Sequence, residues 1–370
     1  MIVNWFKKRQ KLNKHKLKWF SFKLSLNKVN LHSIKKTKMK NFRMRPKLIG
    51  FLALGIGFLT LSWGIVGHER INKAAVMALP KPLQVFFYNH IDFITQEASV
   101  PDIRKYALKY KEENARHYMD LENFGPMESL PQTLDEATKK YDAKFLNDNG
   151  ILPWYIEDMM AKLTKAFKDK NRAEILFLAA DLGHYIGDAH MPLHTSANHD
   201  GQLSDQKGIH SLWESRLPEL FAKNYKLNVP EAHYYEDVHK ATWDMIKDTH
   251  SLVQPLLEVD KKLRTATPEN KVFEVDAEGK IVKTKYNSAK FSDEYAAKLH
   301  ADLNGMVESQ MKKAITATAS FWYTAWVNAG KPDLRDLDAR EVSQRNSQAL
   351  QDDLRLFQRG DLFGLKNQND

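Results

Sequence analysis

The stretch HYIGDAHMPLHTSANHDGQLSDQKGIHSLWE, residues 184–214, decides how this chain is read. His184 and Asp188 are four apart, His194 follows six later, and His210 and Glu214 are again four apart. A helix brings residues i and i+4 onto one face. The residues just before, RAEILFLAADLG (172–183), are apolar around most of a helical circumference, with Asn171 placed to cap them. That pattern predicts a central buried helix carrying His184 and Asp188 near its end. Imidazole nitrogen and carboxylate oxygen both suit zinc, and the chain has no cysteine to compete. Two such pairs with a fifth ligand between them predict a site for more than one zinc ion. Such a site most often activates water against a phosphate ester.

Working outward, the 370 residues allow one large domain or two small ones. The formal charge of +10 is misleading. Sixteen of the 56 Lys and Arg residues fall within 1–48, and the first acidic residue is Glu69. From residue 49 onward 40 basic residues face 46 acidic ones, a balance of −6. A generally basic nucleic-acid-binding surface is thereby excluded. Attraction for an anionic substrate must come from bound cations or a local patch.

Residues 48–61 (LIGFLALGIGFLTL) are apolar, follow Arg43, Arg45 and Lys47, and end near the small residues Thr60 and Ser62. This is the layout of a secretory signal peptide cut between Ser62 and Trp63. The run is shorter than the roughly 20 residues that span a bilayer, although an anchor that stays attached is the alternative. The expected location is therefore periplasmic or secreted, with residues 1–62 as basic leader and signal. Met39 or Met44 would begin a leader of more usual length.

Apolar residues recur at helical spacing over 71–79, 82–95, 134–148, 151–168, 171–190, 231–258 and 292–328. Residues 271–286 alternate like strands around Asp276-Ala277-Glu278-Gly279, predicting an inserted β-hairpin. The expected fold is thus all-α, a multi-helix bundle with one small hairpin. A domain over 63–330 would be followed by a charged tail over 331–370, either peripherally helical or disordered.

Several motifs recur together and in order: Trp63 to His68 (WGIVGH), Pro101-Asp102, Arg116-His117-Tyr118, His184 to Asp188, Pro192 to His194, and His210 to Glu214. In this the chain resembles a superfamily containing the fungal zinc-dependent single-strand nucleases (S-one and P-one type) and the bacterial zinc-dependent phospholipases C. The motifs cover about residues 63–220. The resemblance implies a helical fold with three zinc ions in a cleft. It implies one zinc on Asp102, His117, His184 and Asp188, and a second on His194, His210 and Glu214. The third would take the free amine and carbonyl oxygen of Trp63, with His68, and Asp188 bridging to it. A free amine at Trp63 requires the same cut that the leader suggests. Asp102 would orient the attacking water or take its proton, and Lys105 would contact phosphate.

The two branches divide on spacing. Trp63 to His68, Asp102 to His117 and the Pro192-Leu193-His194 motif are nuclease-like. The His210–Glu214 pair and the short His194–His210 connection are phospholipase-like, and the missing cysteines depart from the disulfide-bearing fungal nucleases. The expected substrate is single-stranded nucleic acid or a nucleotide, with a phospholipid as the alternative. A non-catalytic zinc-storage protein is the reading from a different class. Against it, a three-ligand site leaves a position open for water, whereas structural zinc sites are usually closed. His90, His233, His239 and His250 are expected to be ordinary hydrogen-bonded residues, with His190 and His199 outside the ligand set.

Overall fold

The computed structural model describes residues 64–284 and 288–364. Trp63, the leader, the apolar run 48–61 and the expected cut after Ser62 lie outside the described residues. All described residues belong to one of the two compact units into which the chain divides, that of residues 58–370. No helix among them is long and apolar enough to cross a membrane.

Seven described helices have 13 residues or more: α1 (Gly64–Met77), α2 (Leu152–Lys168), α3 (Arg172–Asp188), α4 (Val238–His250), α5 (Val253–Ala266), α6 (Met306–Asn328) and α7 (Arg340–Arg359). The fold is all-α, as expected. α3 is central: it packs on α2, α6, α1 and the short helix Ile91–Glu97. Its N-terminus is capped as the sequence indicates, Asn171 Oδ1 accepting from the Glu174 N–H at 3.3 Å. It buries Ile175, Leu176, Ala179, Ala180, Leu182, Tyr185 and Ile186. From α6, Trp322 donates its indole N–H to the Ala179 carbonyl at 2.9 Å and stacks on Phe87. Burying each large apolar side chain stabilises by roughly 1.5–3 kcal/mol, which helps offset the cost of the buried polar cluster at the end of α3.

Four of the expected helical runs are interrupted, each for a local reason. Residues 82–95 divide at Asn89-His90 into Leu83–Tyr88 and Ile91–Glu97. In 134–148 the Asp142 side chain caps a new helix by accepting from the Phe145 N–H at 2.7 Å. Residues 231–237 are not helical, and Ala232 N–H bonds to the Ala78 carbonyl at 2.8 Å before Asp237 caps α4. In 292–328, Gly305 at φ 79° separates Asp293–Asp302 from α6.

The inserted β-element is larger than one hairpin. Glu274 exchanges backbone hydrogen bonds with both Lys290 and Val282, so residues 273–276 lie between two partners. α7 lies in the charged C-terminal stretch. It buries Leu350 and Phe357, and Asp353 accepts from Tyr88 Oη at 3.1 Å.

Candidate metal centre

His184 and Asp188 stand one turn apart at the end of α3, both fully buried. His184 Nε2 is 3.2 Å from Asp188 Oδ2. α1 brings His68 alongside, its ring stacked on His184 at 3.9 Å between centroids and its Nε2 3.5 Å from Asp188 Oδ1. This approach needs glycine on α3. A Cβ at Gly187 would stand 2.9 Å from His68 Nδ1, and one at Gly183 would stand 2.0 Å from Asn72 Oδ1. Asn72 in turn donates to the carbonyls of Ile94 and Ala180, tying α1 to its neighbours.

Asp102 and His117 arrive from a different direction. Asp102 lies in the first turn of the short helix Val100–Tyr106, and His117 follows the helix Lys111–Asn114. His117 Nδ1 is 2.9 Å from Asp188 Oδ2, 3.1 Å from His184 Nε2 and 3.7 Å from Asp102 Oδ1. Asp188 therefore faces His68, His117, His184 and, at 3.5 Å, His194 Nδ1.

His194 sits on the 3-10 turn Pro192–Thr195, which proline starts with its fixed φ. Its Nε2 is 3.3 Å from His210 Nε2 and 3.5 Å from Glu214 Oε1. His210 Nε2 is 2.9 Å from Glu214 Oε2. Glu214 lies on a π-helical turn, Leu212–Arg216, closed by the Leu217 N–H on the Leu212 carbonyl. Single π-turns of this kind are often found at functional sites. The short connection is a built turn: Asp200 Oδ1 accepts from the N–H groups of Gly208 and His210.

The structure thus gathers three groups of potential ligands: His68, His184 and Asp188; Asp102, His117 and His184; and His194, His210 and Glu214. Within each group the candidate ligand atoms lie within 4.8 Å of one another. Every candidate metal ligand among the described residues is in one of them. Lys105 sits nearby, partly buried, with its ammonium 4.9 Å from the Tyr106 ring centre. Burial pulls the Lys105 ammonium down, but Tyr106, Asp102 and Asp188 leave it above its usual pKa and charged.

The donor set fits divalent cations. His184 Nδ1 donates to the Ala98 carbonyl at 2.8 Å and His210 Nδ1 to the His199 carbonyl at 2.7 Å. Each bond fixes a tautomer whose Nε2 lone pair points at carboxylate oxygens. Lone pair against carboxylate is repulsive unless a cation, proton or metal, stands between. Asp102 Oδ1, Asp188 Oδ1, His194 Nδ1 and Glu214 Oε1 are buried with no hydrogen-bond partner, and a buried carboxylate needs one. Without metal, protons serve. Burial lowers His184, but Asp188 and Asp102 raise it to about 9. Burial raises Glu214, but His210 and His194 bring it down to about 2. Burial holds His194 at about 4 despite Asp188 and Glu214.

The six histidines left unassigned are not in these groups. His90 bonds Asp338, His239 bonds Glu157 and Gln132, His233 bonds Ser320 and His250 bonds Thr195. His190 is buried with Nδ1 on the Ile186 carbonyl, and His199 serves through its backbone. Glu113 is the residue the sequence reading missed. It is 1% exposed, with Oε1 3.7 Å from His117 Nε2, and it contacts Tyr185 Oη. Arg104 and Arg116 hold its other oxygen at 3.2 and 2.8 Å. A carboxylate behind a ligating imidazole orients the ring. The signal was the spacing of four between Glu113 and His117, hidden in a strongly charged segment.

A model of the S1/P1 nuclease family matches residues 63–316 of the chain. No curated protein matches it. Among solved structures, the alpha-toxin of an avian strain of Clostridium perfringens is similar at 14% identity and TM-score 0.39. That likeness covers 73% of this chain and 64% of the toxin. The alpha-toxin of Clostridium absonum is similar at 13% identity and TM-score 0.35, covering 75% of this chain and 65% of the toxin. The chain therefore spans less than two thirds of either toxin, and at these scores the likeness says nothing of activity.

Proposed function

We propose that this chain, which belongs to the S1/P1 nuclease family, is a zinc-dependent nuclease that cuts single-stranded nucleic acid. Membership makes it a phosphodiester hydrolase of a metal-dependent family. The observation that carries the finer reading is the convergence of three His and carboxylate groups on one buried cluster. Zinc bound there would supply an activated water and neutralise phosphate charge.

Asp102, His117, His184 and Asp188 would hold one ion, and His194, His210 and Glu214 a second. His68 and Asp188 would hold a third with the amine and carbonyl of Trp63, once the chain is cut after Ser62. The same cut would export a domain beginning at Trp63, with residues 331–370 as its charged tail. Asp102 Oδ1, which makes no hydrogen bond, is placed to accept the proton of the attacking water. Lys105 stays charged and would hold a phosphate oxygen. No Ser or Cys nucleophile is required. A phospholipase reading rests on Glu214 and the short connection before His210. Glu keeps the charge of Asp and adds one methylene, so it does not select a substrate by itself.

The test is hydrolysis by zinc-loaded protein beginning at Trp63, offered single-stranded DNA, RNA and phosphatidylcholine with and without chelator. Chelator-sensitive cleavage of nucleic acid is expected. Release of phosphocholine with nucleic acid left intact would overturn the reading.

A further inference from the structure

Asp102 stands at the foot of an exposed elbow of chain. The helix Val100–Tyr106 ends, Lys109 turns the backbone at φ 52°, and Lys111–Asn114 begins the return towards His117. The elbow is a built turn. The N–H groups of Ala107 and Leu108 both bond to the Ile103 carbonyl, and Tyr110 N–H bonds to the Arg104 carbonyl, each at 3.0 Å. Arg104 is drawn inward by Asp181 and Glu113.

What remains outside is distinctive. Ile103, Tyr106, Leu108 and Tyr110 are 42%, 43%, 55% and 53% exposed. Four of the nine large exposed hydrophobic residues among those described thus fall within eight positions. Lys105, Lys109 and Lys111 lie between and beside them, with no acidic residue from Ile103 to Lys111. This local basic patch runs against the acidic balance of the chain from residue 49 onward. Its neighbour Asp102 ties it to the metal centre, and the charge of Asp102 is felt at both Lys105 and Tyr106.

We propose that this elbow is a binding surface for single-stranded nucleic acid outside the metal centre. Bases would stack on Tyr106 and Tyr110, and Lys109 and Lys111 would hold the phosphates between them. The proposal rests on the phosphodiesterase reading above and adds where the polymer lies. Aromatic rings interleaved with basic residues suit a strand whose bases are free to stack. A membrane-surface segment instead gathers its apolar residues on one face. Here they alternate with lysine over eight residues, and two of the four are tyrosine.

The test measures anisotropy of a labelled phosphorothioate oligothymidylate, whose linkages resist hydrolysis, on the zinc-loaded full chain. Tyr110→Ala is expected to raise its Kd about 5- to 100-fold, the size of one lost base stack. The double variant Lys109→Ala with Lys111→Ala should reduce the salt slope by about 2. Hydrolysis of bis(p-nitrophenyl) phosphate, too small to reach the elbow, should be unchanged in both variants. Tyr234→Ala removes an exposed tyrosine elsewhere and should alter nothing. Unchanged oligothymidylate affinity in the elbow variants would overturn the proposal, whatever the protein hydrolyses. So would loss of binding to vesicles of anionic phospholipid with oligothymidylate binding kept, which would make the elbow a lipid contact. Oligothymidylate bound through the elbow but never cut would instead refute the nuclease reading and leave the elbow standing.

Discussion

The two halves of the metal centre are built differently. Around Asp188, the side chains of His68, His184 and His117 are at most 1% exposed, and Asp102 is 4% exposed. They come from α1, α3 and the segment 100–117, with α3 common to both ligand groups. Around Glu214, His210 has a side chain 25% exposed, and all three ligands follow one another within residues 194–214. The first half is made by tertiary packing, and its ligands share a carboxylate. The second is made largely by local turns and has three protein ligands, which leaves a position open. The contrast suggests that the Asp188 half holds its ions as part of the fold, while the Glu214 half meets the substrate.

The largest effect should come from Asp188→Asn. It removes the one carboxylate that faces both buried groups, so two of three zinc ions should be lost and hydrolysis should fall by a factor on the order of 1,000 or more. Zinc content measured beside activity checks this. Retention of all three ions would break the idea of a shared carboxylate. Glu214→Gln should remove a single ion and reduce hydrolysis about 100-fold or more, with thermal stability close to that of the parent. If stability collapses, the Glu214 half is as structural as the other.

Glu113→Gln separates orientation from ligation. The carboxylate behind His117 should be worth about 10- to 100-fold in zinc affinity. The loss should appear in competition with a chelator and at one ion only. An equal loss of all three ions would mean that Glu113 only supports the fold.

The smallest effect concerns the segment joining the halves, where Met119 N–H bonds to the His194 carbonyl at 2.9 Å. Next to it Asp120 is buried, and burial, with Glu122 nearby, raises its carboxyl from 3.8 to about 7. The folded state therefore resists ionising it. Relative to Asp120→Asn, the parent is at its best below 3.8 and loses stability as pH climbs through about 7. Melting curves should show the variant's advantage growing between those values and then levelling off. A constant difference across that range would show that Asp120 is not held in this way.

The sequence made the Glu214 half and the end of α3 readable because their ligands sit at fixed spacings on local turns. His184 and Asp188, like His210 and Glu214, are four apart, and the cap at Asn171 marks where α3 begins. Joining Asp102, His117 and His68 to them needed the resemblance, because no local rule brings segments 68, 102 and 184 together. The supporting contacts were not readable. Gly187 matters through its distance to His68, and Glu113 through a contact made only after the elbow folds back. The helix breaks at Asn89, Asp142 and Gly305 show the same limit. Apolar spacing continues across each, and the turn chemistry that interrupts it is one or two residues long.

The most direct test is anomalous diffraction at the zinc edge from crystals of zinc-loaded protein beginning at Trp63. Three peaks are expected: one among Asp102, His117, His184 and Asp188, one between His68 and Asp188, and one among His194, His210 and Glu214. A single peak, or none within reach of Asp188, would contradict the account.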